Sequence, residues 1–307
     1  MTKETQLQDI TYALATSPNF GQDGICFAAR GSGLYRSEDG GETWLSAYGT
    51  LDLEAPLPTM AVAISPDFAS DRTVFAGAPG GILRSFDGGN NWDVVQFPSP
   101  PPVISALVVS PNYARDGILL AGTVEDGVFS SSNRGGPWVA WNFGLLDLNT
   151  ICMAISPGFA NDETLFVGVD SGIFRSTNGG RAWREVDFSP DLAPVLSLAL
   201  SPGYAEDGIL FAGTESHGLY RSGDRGRTWT RLGEKQIRDA VNAILLSPEF
   251  PKKADILVML GDGLLLSRDG GQSWSERGAG VEFGEGLTCV AAPQGVEPDA
   301  SLPVSYT

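Results

Sequence analysis

Histidine is almost missing from this sequence: His217 stands alone among 307 residues. A Ser-His-Asp relay or a histidine-rich metal site would have a single anchor at most, so His217 reads as a loop residue. Cysteine is nearly as scarce. Cys26, Cys152 and Cys289 are odd in number, far apart and set inside apolar runs, so they read as small buried hydrophobes rather than a disulfide framework or a metal site. Basic residues are few as well. Twenty Lys and Arg against 37 Asp and Glu give a net charge of −17, which argues against a nucleic-acid partner, because neutralising phosphates needs clustered cations. No apolar run approaches the roughly 20 residues of a membrane-spanning helix. The opening Met1-Thr2-Lys3-Glu4-Thr5-Gln6 has no apolar leader segment, so a cytoplasmic location is expected. With neither an Asp-x-Asp-x-Asp calcium loop nor a Gly-Lys-Ser/Thr phosphate loop, no cofactor and no metal are expected.

Glycine, at 39 residues, and proline, at 20, are plentiful, as many short strands joined by tight turns require. The stretch Ser37-Glu38-Asp39-Gly40-Gly41-Glu42-Thr43-Trp44 comes back at Ser85–Trp92, Ser131–Trp138, Ser176–Trp183, Ser222–Trp229 and Ser267–Trp274. Its tryptophans, Trp44, Trp92, Trp138, Trp183, Trp229 and Trp274, are spaced by 48, 46, 45, 46 and 45 residues. So steady a period marks a repeat architecture.

Each unit has one plan. An apolar run such as Ala61-Val62-Ala63-Ile64 ends in Ser-Pro, where proline can no longer donate to a ladder. An aromatic follows, and in the first five units an aspartate stands six residues past the serine: Asp23, Asp71, Asp116, Asp162 and Asp207. Turn capping by this carboxylate explains its recurrence. The sixth unit departs, with Lys253 there and Asp255 displaced. Two more strands follow, then the octet, whose tryptophan opens a fourth. Four antiparallel strands per ~46 residues is the arithmetic of a propeller blade.

The expected fold is therefore an all-β propeller forming a single domain over residues 1–307, with full repeats at 12–47, 60–95, 104–141, 151–186, 195–232 and 241–277. A partial seventh repeat at 287–306 matches only a first and a second strand. Seven blades with the last partial is the favoured reading, six the alternative. An open sheet edge there is a pairing liability, which a partner strand or a homodimer could relieve.

Ser-x-Asp-x-Gly-x-Thr-Trp is the Asp-box, and six copies at blade spacing resemble the Asp-box propeller superfamily over about residues 10–290. That superfamily includes sialidases, xyloglucan-type glycosidases, sortilin-type receptor domains and a photosystem II assembly factor. The likeness implies the fold and leaves activity open, since enzymes and non-enzymes share the octet. Physically, the motif is a self-supporting turn. Asp39, Asp87, Asp224 and Asp269 can accept backbone N–H bonds, and Asn133 and Asn178 can do so without charge. A general acid would not tolerate that exchange.

Strand alternation puts the Ser-Pro turns and octets on one face. The loops joining second to third strands, and fourth strands to the next blade, lie on the other. In the enzymes of the superfamily the active site lies on that second face. The resemblance therefore makes Glu125, Asp126, Asp170, Glu215 and Asp262 the catalytic candidates if the chain is a glycoside hydrolase. A sialidase-like site would also need three arginines and a tyrosine beside a glutamate. Arg36, Arg84, Arg175 and Arg221 instead recur at equivalent blade positions. The favoured reading is a non-catalytic scaffold that binds a protein partner, or a glycan, through apolar residues in the connections between blades. Leu53, Phe97, Leu146 and Phe188 are its candidate contacts.

Overall fold

The computed structural model describes residues 9–97, 100–188, 193–278, 286–297 and 302–306. Blade one is built from β1 (Thr11–Thr16), β2 (Cys26–Arg30), β3 (Gly33–Ser37) and β4 (Leu45–Ser46). Blade two comprises β5 (Ala61–Ile64), β6 (Val74–Ala78), β7 (Gly81–Ser85) and β8 (Asp93–Gln96). Blade three has β9 (Val103–Val109), β10 (Leu119–Val124), β11 (Val128–Ser131) and β12 (Val139–Ala140). Blade four has β13 (Thr150–Ile155), β14 (Leu165–Val169), β15 (Gly172–Ser176) and β16 (Arg184–Glu185). In blade five they are β17 (Val195–Leu200), β18 (Leu210–Thr214), β19 (Leu219–Ser222) and β20 (Thr230–Leu232). Blade six contributes β21 (Ala243–Leu246), β22 (Ile256–Met259), β23 (Leu264–Ser267) and β24 (Ser275–Arg277). Each sheet is antiparallel, with its strands in sequence order. A two-stranded sheet of β25 (Leu287–Val290) and β26 (Val304–Tyr306) follows, with β25 touching β22 and β1. The all-β propeller of four-stranded antiparallel blades is thus found, as six blades and a two-stranded seventh sheet.

The second strands are the most deeply buried, because sheets cover both of their faces. All five residues of β6 and of β14 are buried, so they read as continuous apolar runs. Glycine lets the blades meet closely. A Cβ added at Gly77, Gly122, Gly168 or Gly213 would lie 2.5 Å from Ile104, 2.5 Å from Thr150, 2.7 Å from Val195 or 2.7 Å from Val241, all in the next blade's first strand or its start. Blade six has Met259 at this place, paired with Ala243 as Gly77 is with Ala61. Its buried side chain clusters with Leu287 of the seventh sheet and Val296 of the segment after β25.

Hydrogen bonds between first strands follow the ring round. The Cys152 thiol donates to Val195 O (3.3 Å), the Ser197 hydroxyl to Val241 O (2.7 Å) and the Cys289 thiol to Thr11 O (3.3 Å). Cys152, Ser197 and Cys289 each follow a bulge at the start of their strand. The seventh sheet therefore meets blade one as inner blades meet each other. Burial pushes Cys26 up to about 11, and Cys152 and Cys289 up to about 12, and all three thiols are free.

Between first and second strands the chain makes one helical turn: α1 (Phe20–Asp23), α2 (Phe68–Asp71), α3 (Tyr113–Asp116), α4 (Phe159–Asp162) and α5 (Tyr204–Asp207). The opening aromatic is buried each time. The aspartate ties the ends together. Asp23 accepts from the Ser17 hydroxyl (2.6 Å) and from Ile25 N–H (2.9 Å), and the other four blades repeat the pair of bonds. In blade six Lys253 instead forms an ion pair with Glu297, and Arg277 donates to Glu297 O (2.9 Å). The departure visible in the sequence is a clamp between the sixth blade and the seventh sheet.

Candidate partner-binding surface

The octets use their carboxylates internally. In the first, Asp39 accepts from the Ser37 hydroxyl (2.7 Å), Thr43 N–H (2.9 Å) and the Thr43 hydroxyl (2.5 Å), while Ser37 Oγ accepts from Gly41 N–H (2.9 Å). Gly40 and Gly41 hold φ of 81° and 96°, which glycine adopts at little cost. Bonds from Thr43 and Ser37 hold the Asp39 carboxyl well below the usual range. The corresponding bonds bring Asp224 and Asp269 to about 2. Asp87 also reaches about 2: partial burial pushes it up, but bonds from Asn91, Ser85 and Asn90 outweigh that. Asn178 replaces the carboxylate and still accepts from the Ser176 hydroxyl and Ala182 N–H, both at 2.9 Å. In the third octet Pro137 has no N–H to give, and Asn133 N–H bonds Ser131 Oγ at 3.4 Å.

After β4, β8, β12 and β16 the chain turns sideways and covers the next blade's tryptophan. Trp92 Nε1 donates to Ala47 O (2.9 Å), and Trp183 Nε1 to Trp141 O (2.7 Å). Phe97 stacks on Trp138 with ring centroids 5.5 Å apart, and Phe188 meets Trp229 edge-on at 5.0 Å. Two of the four apolar partner candidates are therefore taken up between blades, with Phe97 buried and Phe188 half-buried.

Phe143 stands five residues past its blade's tryptophan, as Phe97 and Phe188 do, yet it is 81% exposed. The reason is Trp141, which supplies the carbonyl for Trp183 and lies under the Arg181 guanidinium at 5.1 Å. Phe143 contributes its own carbonyl to Trp183 N–H (2.8 Å), and its ring is turned out. Leu146, three residues on, is also 81% exposed, and Leu53 is 43% exposed. The prominence of Phe143 could have been suspected from its spacing, but its exposure depends on a neighbour in another blade.

The five candidate carboxylates are all exposed and belong to loops of four blades. Glu125 holds a φ of 70°. Asp126 O accepts from Asn142 Nδ2 (2.9 Å), and Glu215 N–H reaches Pro194 O (3.0 Å). Asp170 is joined by Asn149 Nδ2 at 2.7 Å, beside Asp147, which accepts from Asn149 and Ser171 N–H groups. Asp9 does the same for Ser32 in blade one, where Arg30 pairs with it at 3.2 Å. These loops are braced to one another. No candidate carboxylate is hydrogen-bonded to another among the described residues. Half-buried His217 meets Ser216 Oγ through Nδ1 at 3.0 Å. Among the described residues no group of His, Cys, Asp and Glu is arranged to hold a metal ion, and no helix is long and apolar enough to cross a membrane.

The sequence matches no family model and no curated protein. Solved structures do resemble it. The chain is similar to the GH74 xyloglucanase of Xanthomonas campestris, with a TM-score of 0.72 and 17% identity over 93% of this chain and 49% of that one. It is similar to YCF48 from Cyanidioschyzon merolae, with a TM-score of 0.65 and 13% identity over 93% of this chain and 90% of that one. A structure of YCF48 bound to a D1 peptide gives 0.61 and 17% over 88% and 83%. The likeness is one of fold. These neighbours share the β-propeller fold. This chain spans 38–49% of the length of the GH74 enzymes, and most of the length of YCF48.

Proposed function

We propose that this chain is a non-catalytic propeller scaffold that binds a protein partner through the connections leaving its fourth strands. The observation that carries the reading is the segment after β12, where Phe143 and Leu146 are each 81% exposed on a backbone tied to the next blade. Apolar side chains presented on an ordered backbone cost little to immobilise on binding and are common anchors of interfaces. A propeller of similar fold holding a peptide supports the reading, as a property of YCF48. Leu53 extends the surface onto another connection. Partner capture should be lost in Leu146→Asp and in Phe143→Asp with thermal stability unchanged. Capture undiminished in both would refute the proposal.

The ring fits a sevenfold arrangement whose last position takes further strands from a partner or a second copy. Among the described residues, Gly41 of the first octet meets only its own Trp44 within 4 Å of an added Cβ, whereas Gly89, Gly135, Gly180, Gly226 and Gly271 each meet the preceding blade. Glycan hydrolysis is the second reading, which likeness to a xyloglucanase favours. It requires two carboxyl groups within about 5–10 Å across a cleft, with Glu125, Asp126, Asp170, Glu215 and Asp262 as the available carboxylates. Turnover of aryl glycosides or xyloglucan that disappears in Glu215→Gln or Asp262→Asn would establish it against the scaffold.

A further inference from the structure

Cations are outnumbered in this acidic chain, 20 Lys and Arg against 37 Asp and Glu, yet four arginines line one groove. The groove, about 710 Å³ in volume, runs between the fourth and fifth blades past Arg175, Arg184, Arg225 and Arg227. None of the four takes part in an ion pair among the described residues. Arg175 and Arg184 stand directly opposite each other on the β15–β16 ladder, and like charges so placed destabilise a sheet.

The other blades show that this placement is peculiar to blade four. The residue opposite the third-strand arginine is Leu45 in blade one, Asp93 in blade two and Thr230 in blade five. Asp93 pairs with Arg84 at 3.6 Å. Blade four has a second cation where blade two has a counter-ion.

The equivalent groove between blades one and two offers an internal comparison. It is about 570 Å³ in volume and sets Arg36 against Glu38 and Asp39. In the fourth blade Thr177 and Asn178 stand in place of that Glu and Asp. Arg184 replaces Leu45 and Arg227 replaces Asn90. The same architectural groove has changed sign, to four arginines against Glu185 and Asp187. Arg175 Nη1 and Arg225 Nη2 are partly engaged with backbone carbonyls, of Arg225 (3.3 Å) and Ala205 (2.6 Å). Arg184 and Arg227 are exposed, and guanidinium groups take carboxylates in pairs of parallel hydrogen bonds.

Two features favour an extended peptide as the occupant. β16 is the outermost strand of its sheet, so its free backbone edge can pair with an added strand. The exposed Phe143 ring also lines the groove, beside the cations.

We propose that this groove binds an acidic, extended segment of the protein partner, with Arg184 and Arg227 holding its carboxylates and Phe143 an apolar side chain. The assignment rests on the partner-binding reading and names the chemistry of what is bound. The test is fluorescence anisotropy of the whole chain with a labelled peptide alternating Glu and Leu. A twin alternating Lys and Leu is the control, and a sulfated oligosaccharide the competitor. The acidic peptide should bind, weaken as salt is raised, and lose at least about tenfold in affinity in Arg184→Glu/Arg227→Glu, a loss in keeping with removal of charge-assisted bonds. The milder Arg184→Gln/Arg227→Gln should follow the same direction, and Leu45→Glu/Asn90→Glu in the other groove should change nothing. No binding of the acidic peptide, equal binding of the lysine twin, unchanged affinity in both arginine variants, or preferential binding of the oligosaccharide would each overturn the proposal. Leu146→Asp separates the two readings. Partner capture that survives Leu146→Asp, with arginine-dependent peptide binding intact, would count against the apolar surface and leave the groove standing.

Discussion

Replacing Gly122 with alanine probes the joint between blades with a single methyl group. The new Cβ would lie 2.5 Å from Thr150 Cγ2, 3.1 Å from Thr150 Cβ and 3.1 Å from Met153 Sδ. Methionine can swing aside. Thr150 cannot move freely, because its carbonyl accepts from the Ser105 hydroxyl (2.5 Å) and its N–H reaches Leu148 O (3.1 Å). Overpacking of a tight core costs about 1–3 kcal/mol, and loss of glycine's freedom in the unfolded chain returns about 0.4–1 kcal/mol. The net expectation is a destabilisation of about 1–2 kcal/mol, read from the midpoint and slope of urea unfolding. Gly223→Ala is the reference, since an added Cβ there meets nothing within 4 Å among the described residues, and it should be neutral or slightly stabilising. Gly122→Ala as stable as Gly223→Ala would refute the claim that glycine sets the blade spacing.

Phe97→Ala should destabilise by about 3 kcal/mol or more, as loss of a buried aromatic does, by urea unfolding; a neutral result with lost partner capture would return Phe97 to the binding surface. Asp224→Asn should lower the melting temperature at neutral pH through loss of the carboxylate's charge. The folded carboxyl titrates at about 2, below an ordinary aspartate near 3.9. Its advantage is therefore complete above about pH 4 and fades as pH falls toward 2. The gap between the two proteins should close over that window in melts at stepped pH, and a constant gap would show that charge is not the cause.

The architecture was legible because the octet repeats, and so were its internal bonds. Asn178 in place of aspartate already implied turn chemistry, and Asn178 does accept the expected bonds. Asp23 and its counterparts were readable as turn caps, although the single helical turn they close was not, since four residues carry no periodicity. The connections between blades were the illegible part. Phe97, Phe143 and Phe188 have the same spacing from their tryptophans, and only the path of the neighbouring chain decides which are covered. Opposition of Arg175 and Arg184 likewise depends on strand register, which a two-residue outer strand does not announce.

Crosslinking from a photoreactive amino acid placed at position 146 bears most directly on the scaffold reading. Performed in the native host, it should yield one dominant protein adduct that is absent when the same group is placed at the buried position 97. Adducts equally strong from both positions, or none from 146 alongside glycoside turnover that requires Glu215 or Asp262, would contradict a partner-binding propeller.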